Sequence, residues 1–173
     1  MDYRNFDPGK SLALLLDRVN RAMCTNLRRL FKDGGFDVTA EQWMILLLLW
    51  QHNGRPQQEI AEIVCKNKGT ISPQIDGLVR RNLIVRVPDQ HDRRRNHVWL
   101  TQRGKDLEAQ LVPLGFANMD VARQGIDPQE MEVCKRVLQR MCRNFETGGD
   151  ADEASSPASE QEAQEPCVLP TSM

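Results

Sequence analysis

The chain has 173 residues, and its 23 basic and 24 acidic side chains leave a formal net charge of −1. This length fits one domain with a short extension, and it can bury a core without a disulfide framework or a structural metal. A hydrophobic share of 40% and a charged share of 27% are typical of soluble globular proteins, and 5% aromatic residues argue against a ring-lined sugar or base-stacking surface.

The charge is distributed unevenly along the chain. Residues 55–105 carry eleven basic and five acidic side chains, a net +6, whereas residues 147–173 carry six acidic side chains and neither Lys nor Arg. A clustered positive field attracts polyanions whatever the total charge, although such residues can also simply solvate a surface. The segment 147–173 is predicted to be an acidic disordered tail, which either solvates the protein or screens the basic segment.

The N-terminus and the cysteines bear on the cellular compartment. Residues 1–10 mix charges and lack the apolar stretch of a signal peptide. The longest apolar run, Trp43–Trp50, is far shorter than the roughly 18–20 residues that span a membrane. The five cysteines and three histidines show no metal-ligand spacing, and no catalytic motif is present. We therefore expect a cytoplasmic protein that is not an enzyme and needs no metal or cofactor.

Apolar residues at helical spacing predict two helices in the first third of the chain. The first covers 11–32 and ends at Asp33-Gly34-Gly35. The second begins at a capping box of Thr39 and Gln42, ends at Asn53-Gly54 and is apolar enough to be buried on most sides.

The next segment predicts a helix-turn-helix followed by a β-hairpin. Short helices over 57–64 and 70–81 are joined by a turn that contains Gly69. Strands over 83–87 and 97–100 then flank a polar tip, which forms a wing. The +6 segment covers this whole unit.

Two further helices complete the chain before the tail. One starts at Thr101, and Pro113 is expected to kink or break it. The last begins with Asp127 as its cap and Pro128 in its first position, and it runs to about Phe145. The predicted fold class is therefore mainly α, with one small hairpin.

The residue types on the helix-turn-helix and wing suit double-stranded DNA. The predicted second helix carries hydroxyls and an amide that can contact base edges, and the wing carries three consecutive arginines that suit a narrow minor groove. An Asp two residues before the second of these arginines can brace its guanidinium. The candidate DNA-binding residues are Lys66, Lys68, Thr70, Ser72, Gln74, Arg80, His91, Asp92, Arg93, Arg94 and Arg95.

The segment 83–105, LIVRVPDQHDRRRNHVWLTQRGK, resembles the wing of MarR-family transcriptional regulators. The D-x-R motif of that family matches Asp92-Arg93-Arg94, its L-T-x-x-G motif matches residues 100–104, and TAEQW (39–43) and KGTIS (68–72) also fit. The resemblance implies a winged helix-turn-helix domain over 1–146, with a DNA-binding lobe over 37–101. It also implies a homodimer formed by helices 11–32 and 103–146, which acts as a repressor of nearby genes.

The residues themselves also favour a dimer, because the first and last helices have apolar stripes yet flank a self-contained lobe. A two-fold dimer would place its recognition helices about one DNA turn apart, on a pseudo-palindromic operator. The alternative function, from a different class, is a winged-helix module that binds other proteins and has no specific DNA binding. The arginine-dense wing argues against this alternative, because a protein-docking module has no need of Arg93–Arg95.

Two kinds of signal could release the DNA. One is thiol oxidation, for which Cys24 and Cys134 are the candidates, although cysteines are also ordinary core residues. The other is a small aromatic or phenolic ligand between the dimer region and the lobe, with Arg21, Trp43 and His52 as candidate lining residues.

Overall fold

The computed structural model describes residues 7–64, 68–92 and 95–149, which divide into two units at Gln124 and Gly125. The first unit opens with a 3-10 turn at Pro8–Lys10 and contains six helices and three strands. These are α1 (Leu12–Asp33), α2 (Ala40–Gln51), β1 (Arg55–Pro56), α3 (Gln57–Ile63), α4 (Lys68–Arg80), β2 (Ile84–Pro88), β3 (Asn96–Leu100), α5 (Gln102–Asp106) and α6 (Glu108–Arg123). The second unit holds the last helix, α7 (Pro128–Gly149).

The predicted helix boundaries rest on caps that the structure contains. The Thr39 hydroxyl accepts the backbone N–H of Gln42 at 3.2 Å, and the Gln42 side chain accepts the N–H of Thr39 at the same distance, which completes the capping box of α2. At α7, the Asp127 carboxylate accepts the N–H of Gln129 at 2.7 Å. Gly35, with φ of +81°, follows the end of α1 in a left-handed conformation that glycine adopts at little cost.

The hydrophobic core lies in the first unit and is built around α2, which is buried on most sides as predicted. Apolar residues of α3, α4, the sheet and the second half of α1 pack with it, and Leu111 of α6 is fully buried. The first half of α1 stays exposed, although its apolar spacing is equally regular. On α3, Ile63 is 44% exposed, so only part of the predicted apolar face of that helix is buried.

The wing belongs to a three-stranded antiparallel sheet with the order β1-β3-β2. In this sheet, Val85 pairs with Trp99, and Pro88 pairs with Asn96. The first strand, β1, was not predicted: Arg55 pairs with Val98 and Pro56 with His97. A two-residue strand shows no alternation in the sequence, and its pairing depends on the hairpin that lies over 40 residues later. Pro88 is tolerated at the end of β2 because this is an edge strand.

The structure differs from the prediction at two boundaries. Pro113 neither ends nor divides its helix: the interruption lies at Leu107, and α6 continues through Pro113 to Arg123. Packing explains this, since Leu111 is fully buried and Gly115 lies against Trp43 on the two sides of the proline. The tail was expected from residue 147, but α7 extends to Gly149, and residues 150–173 lie outside the described part of the chain.

Candidate nucleic-acid interface and cavity

The second helix of the helix-turn-helix, α4, is held in the lobe by one buried apolar edge. Ile71, Ile75 and Leu78 are each no more than 1% exposed, and the preceding helix α3 contributes the fully buried Ile60. Burying each such side chain contributes roughly 1.5–3 kcal/mol. This edge fixes the rotation of α4, and the rotation decides which of its polar side chains can reach a ligand.

Arg86 on β2 ties the wing strand to both helices of the helix-turn-helix. Its guanidinium forms an ion pair with Asp76 of α4, and its Nε donates to Gln57 Oε1 of α3 at 3.0 Å. Gln57 Nε2 in turn donates to the Ser72 hydroxyl at 3.1 Å. The network links α3, α4 and the sheet, so the wing and the recognition helix keep a fixed relation to each other.

A second network fixes α4 against α2. Arg81 Nε donates to the carbonyl of Gly77 at 3.0 Å, and its guanidinium also binds the side chain of Gln42, which is only 6% exposed. A Cβ on Gly77 would lie 2.7 Å from Gln42 Nε2, so glycine permits this close approach of the two helices. Gln42 therefore serves both the α2 cap and the α2–α4 contact.

The structure places the α4 candidates on different sides of the helix. Thr70 and Arg80 are exposed. Ser72 and Gln74 are half-buried and have partners inside the protein: Ser72 accepts from Gln57, and Gln74 Oε1 accepts from the Thr39 hydroxyl at 3.4 Å. Lys68 is the first residue of α4, and Lys66 lies outside the described residues.

The base of the wing tip is organised by Asp89. Its carboxylate accepts the backbone N–H groups of His91 at 2.8 Å and Asp92 at 3.0 Å, and its own N–H donates to the carbonyl of Arg95 at 3.0 Å. These backbone donors, first that of Asp92, lower the pKa of Asp89 to about 2. The tip is therefore anchored through a carboxylate that stays ionised at neutral pH.

His97 joins this anchor to the loop before β1. Its Nδ1 lies 2.9 Å from the Gly54 carbonyl oxygen, and its Nε2 lies 2.9 Å from Asp89 Oδ2. Both partners accept hydrogen bonds, so the ring satisfies both only as an imidazolium that donates from each nitrogen. The Gly54 carbonyl first, and then the Asp89 carboxylate, raise the pKa of His97 above its usual value of 6.5.

At the tip, Asp92 and Arg95 form an ion pair with Nε and Oδ2 3.5 Å apart, and Arg95 remains exposed. His91 is exposed as well. Asp92 was predicted to brace Arg94, but Arg93 and Arg94 lie outside the described residues. Three of the five predicted wing residues are thus placed. All three belong to the loop between β2 and β3, and β2 is the strand that Arg86 ties to α4.

The L-T-x-x-G segment acts as the joint between wing and α5. The Thr101 hydroxyl accepts the N–H of Gly104 at 3.0 Å and donates to the Asn82 carbonyl at 2.7 Å. A Cβ on Gly104 would lie 2.0 Å from the Leu83 carbonyl oxygen, so only glycine fits there. The Gly104 carbonyl in turn accepts Trp50 Nε1–H at 3.0 Å.

A cavity of about 430 Å³ lies in the first unit between α1, α2 and α6. Its wall is mainly apolar and includes Trp43, whose ring packs against Phe31 at 5.4 Å and Trp50 at 5.7 Å between centroids. Its polar residues are Glu41 and the amides of Asn20 and Asn118. Asn118 is 6% exposed and accepts from Asn26 Nδ2 at 2.8 Å. Among the described residues, no Lys, Arg or His lines this cavity.

The cavity takes in some of the residues that the sequence suggested for ligand binding and oxidation. Trp43 and Cys24 line it, and Cys24 Sγ lies 3.8 Å from Asn20 Oδ1. Arg21 and His52 are not lining residues: Arg21 is exposed and pairs with Asp17 at 2.7 Å. Cys134 is exposed on α7, in the other unit. Within the described ranges, no group of side chains could hold a metal ion, and no helix is long and apolar enough to cross a membrane.

Comparison with known proteins identifies the lobe. Residues 38–95 match the family model described as MarR family, which spans α2 to the wing tip. The chain is therefore similar to the MarR family over this segment. It is 27% identical over 116 residues to the uncharacterized HTH-type transcriptional regulator YybA of Bacillus subtilis, covering 67% of this chain and 76% of that protein. It is 25% identical over 133 residues to the transcriptional regulator MhqR of the same organism, covering 77% and 90%.

Solved structures of MarR-family proteins share this fold. BpsR of Bordetella bronchiseptica, whose DNA binding is regulated by 6-hydroxynicotinic acid, aligns with a TM-score of 0.72 at 22% identity over 79% of this chain and 96% of its own. The two Bacillus relatives are transcriptional regulators and not enzymes. The similarity to these regulators supports a DNA-binding winged-helix protein of the regulator class.

Sequence reasoning missed several residues that build the interface. Gln57, Asp76 and Arg86 form the network that fixes α4, and Asp89 and His97 fix the wing tip. The only sequence signal for these residues is a set of charged and amide side chains on elements that are otherwise apolar. Their pairing depends on how the hairpin folds back onto the helix-turn-helix.

Proposed function

We propose that the chain is a transcriptional repressor that binds pseudo-palindromic operators as a homodimer and is released by a small ligand. The observation that supports this most strongly is the fixed relation between α4 and the wing. Arg86 ties β2 of the wing to Asp76 of α4. The exposed Arg80 lies at the end of α4, and the exposed Arg95 lies in the wing tip. One element suits the major groove and the other the minor groove or a phosphate.

Dimerisation is supported by exposed apolar residues on two long helices. On α1, Leu12, Leu15 and Val19 recur at helical spacing and are each at least 39% exposed; on α7, Val137 and Phe145 are 51% and 80% exposed. Apolar faces of this kind usually mark a protein interface. Residues 11–32 and 103–146 are thus proposed as the dimerisation region and 37–101 as the DNA-binding lobe.

The dimer can be tested by sedimentation at micromolar concentration. We expect the wild-type chain to sediment as a dimer and Val19→Asp to shift it to monomer, because a carboxylate would be buried in an apolar interface. Asp17→Asn, on the opposite side of α1, is the matched control and keeps the dimer. A monomeric wild type contradicts the proposal.

The cavity between α1, α2 and α6 is proposed as the ligand site, and its chemistry favours an uncharged aromatic molecule. Its volume falls within the usual range for small-molecule pockets, roughly 300–1,000 Å³. A ligand with a carboxylate would lie near Glu41 in a mainly apolar wall, where no Lys, Arg or His among the described residues could pair with it. Burying an unpaired charge in this way is unfavourable. The effect of 6-hydroxynicotinic acid on BpsR supports regulation by a small ligand in this fold.

Fluorescence of Trp43 reports on this site, since its ring forms part of the wall. Titration with phenols and matched benzoates is expected to perturb the emission more strongly with the phenols, and Trp43→Phe should abolish that component. Equal responses from both series contradict the proposed ligand chemistry.

Oxidation of Cys24 is a second proposed release signal, because its sulfur lies in the wall of the same cavity. Peroxide should then release wild-type protein from DNA but not the Cys24→Ser variant. Equal release of both proteins discards this signal and leaves the ligand proposal intact.

A protein-docking role is the alternative that one observation favours. Val85, Val87 and Trp99 lie on the outer face of the wing sheet and are each more than 40% exposed. Selection of bound fragments from genomic DNA separates the two functions. A repressor enriches a short pseudo-palindromic sequence, with half-sites about one helical turn apart. A docking module enriches no sequence.

A further inference from the structure

The exposed face of α4 is less polar than its sequence suggests. Two of its candidate base readers already have partners within the lobe: Ser72 accepts from Gln57 Nε2 at 3.1 Å, and Gln74 Oε1 accepts from Thr39 at 3.4 Å. A bidentate contact of Gln74 with adenine would need the oxygen that Thr39 holds. Asp76, which could accept from cytosine, is engaged by Arg86.

Pro73 lies on the side of α4 that these contacts leave open. It is exposed, as are Thr70 one turn before it and Arg80 two turns after it. Proline is the least favourable residue in a helix interior and cannot donate to the carbonyl four residues earlier. Its exposed position means that the ring is not required for packing of the core. It offers a rigid patch of C–H groups and no hydrogen-bonding group of its own side chain.

Only one group on the major-groove edges of the four bases matches such a patch. Adenine, guanine and cytosine present donors and acceptors there, whereas thymine also presents its C5-methyl group. Apolar side chains and the threonine methyl are known partners of this methyl group.

We propose that Pro73, assisted by the methyl group of Thr70, selects thymine by contact with its C5-methyl group in the major groove. This inference rests on the proposed function, since it requires that α4 enters the groove of an operator. It makes Pro73 a specificity-determining residue and assigns the exposed Arg80 to phosphate or guanine. The expected operator half-site therefore carries thymine at the position under Pro73.

Replacing single thymines of the selected operator by deoxyuridine tests this contact, because deoxyuridine lacks only the methyl group. With the full-length protein, fluorescence anisotropy is expected to show an affinity loss of about fourfold at one thymine per half-site, the value for one buried methylene-sized group. Pro73→Ser should bind the thymine operator more weakly and lose its discrimination between thymine and deoxyuridine at that position.

Thr70→Ser is the matched control for the supporting contact, since it deletes a single methyl group and keeps the hydroxyl. It should reduce discrimination less than Pro73→Ser does. If wild type binds its operator specifically yet tolerates deoxyuridine at every position, the proposal is wrong and the repressor function stands. If Pro73→Ser still discriminates between thymine and deoxyuridine, another residue contacts the thymine methyl group and the proposal is wrong. If no specific operator is bound at all, the proposed function itself is wrong, and the inference falls with it.

Discussion

The contact between α6 and α2 allows a sharp prediction for Gly115→Ala. A Cβ at position 115 would lie 2.3 Å from Trp43 Cζ2 and 2.9 Å from Cη2, well inside the ~3.5–4.0 Å at which carbon atoms attract. The ring is buried and packed against Phe31 and Trp50, so it cannot turn away freely. Overpacking costs about 1–3 kcal/mol, and alanine gains about 1 kcal/mol over glycine in a helix. Subtracting the gain from the cost, we expect a net loss of up to about 2 kcal/mol.

Urea unfolding followed by circular dichroism measures this loss, at one fixed protein concentration because a dimer is stabilised by mass action. The same substitution in a Trp43→Leu background is the control. With the ring removed, only the helix preference remains, and Gly115→Ala should stabilise by about 1 kcal/mol. A stabilising effect in the wild-type background would show that α2 and α6 do not approach this closely, and would refute the packing argument.

The remaining predictions concern the wing, its joint and the tail. An NMR titration should place the pKa of His97 above 6.5, and Asp89→Asn should lower that pKa towards 6.5. Because the pKa is raised in the folded state, the protection of wing amides from hydrogen exchange should be complete at low pH. This protection should be lost as the pH rises through the pKa of His97. On the acid side, the Asp89 contribution persists until pH falls towards about 2. Thr101→Ala removes the α5 cap and should cost about 0.5–2 kcal/mol in thermal or urea unfolding. Deleting residues 150–173 removes six acidic side chains and should tighten binding to unrelated DNA in a gel-shift assay if the tail screens the basic face; unchanged binding would show that the tail is inert.

Local patterns in the sequence were sufficient for most of the fold. The Thr39–Gln42 capping box and the Asp127 cap place helix starts correctly, because both depend on residues within one turn. The helix-turn-helix and hairpin follow from apolar spacing and turn residues. The family resemblance, carried by the wing motif, was confirmed by the comparison with the MarR family.

The residues that the sequence misjudged depend on tertiary packing. The intact helix around Pro113 accompanies the burial of Leu111 and the contact of Gly115 with Trp43 of α2. The inward position of Gln74 follows from the rotation of α4, which its buried edge and the Gly77–Gln42 contact fix together. Arg86 and Asp76 are ten residues apart and meet only when β2 crosses the helix-turn-helix. Spacing along the chain does not contain this information.

The most direct test of the central claim is the salt dependence of binding to DNA from the protein's own promoter region. The account predicts specific binding in the range of about 10⁻⁸–10⁻¹¹ M, which weakens steeply with salt as phosphate-bound counterions are released. Arg80→Ala and Arg95→Ala should each weaken binding and lower the salt slope by about one, whereas Lys135→Ala on α7 should change neither. Equal affinity for promoter and unrelated DNA, or wild-type binding by both arginine variants, would contradict the account.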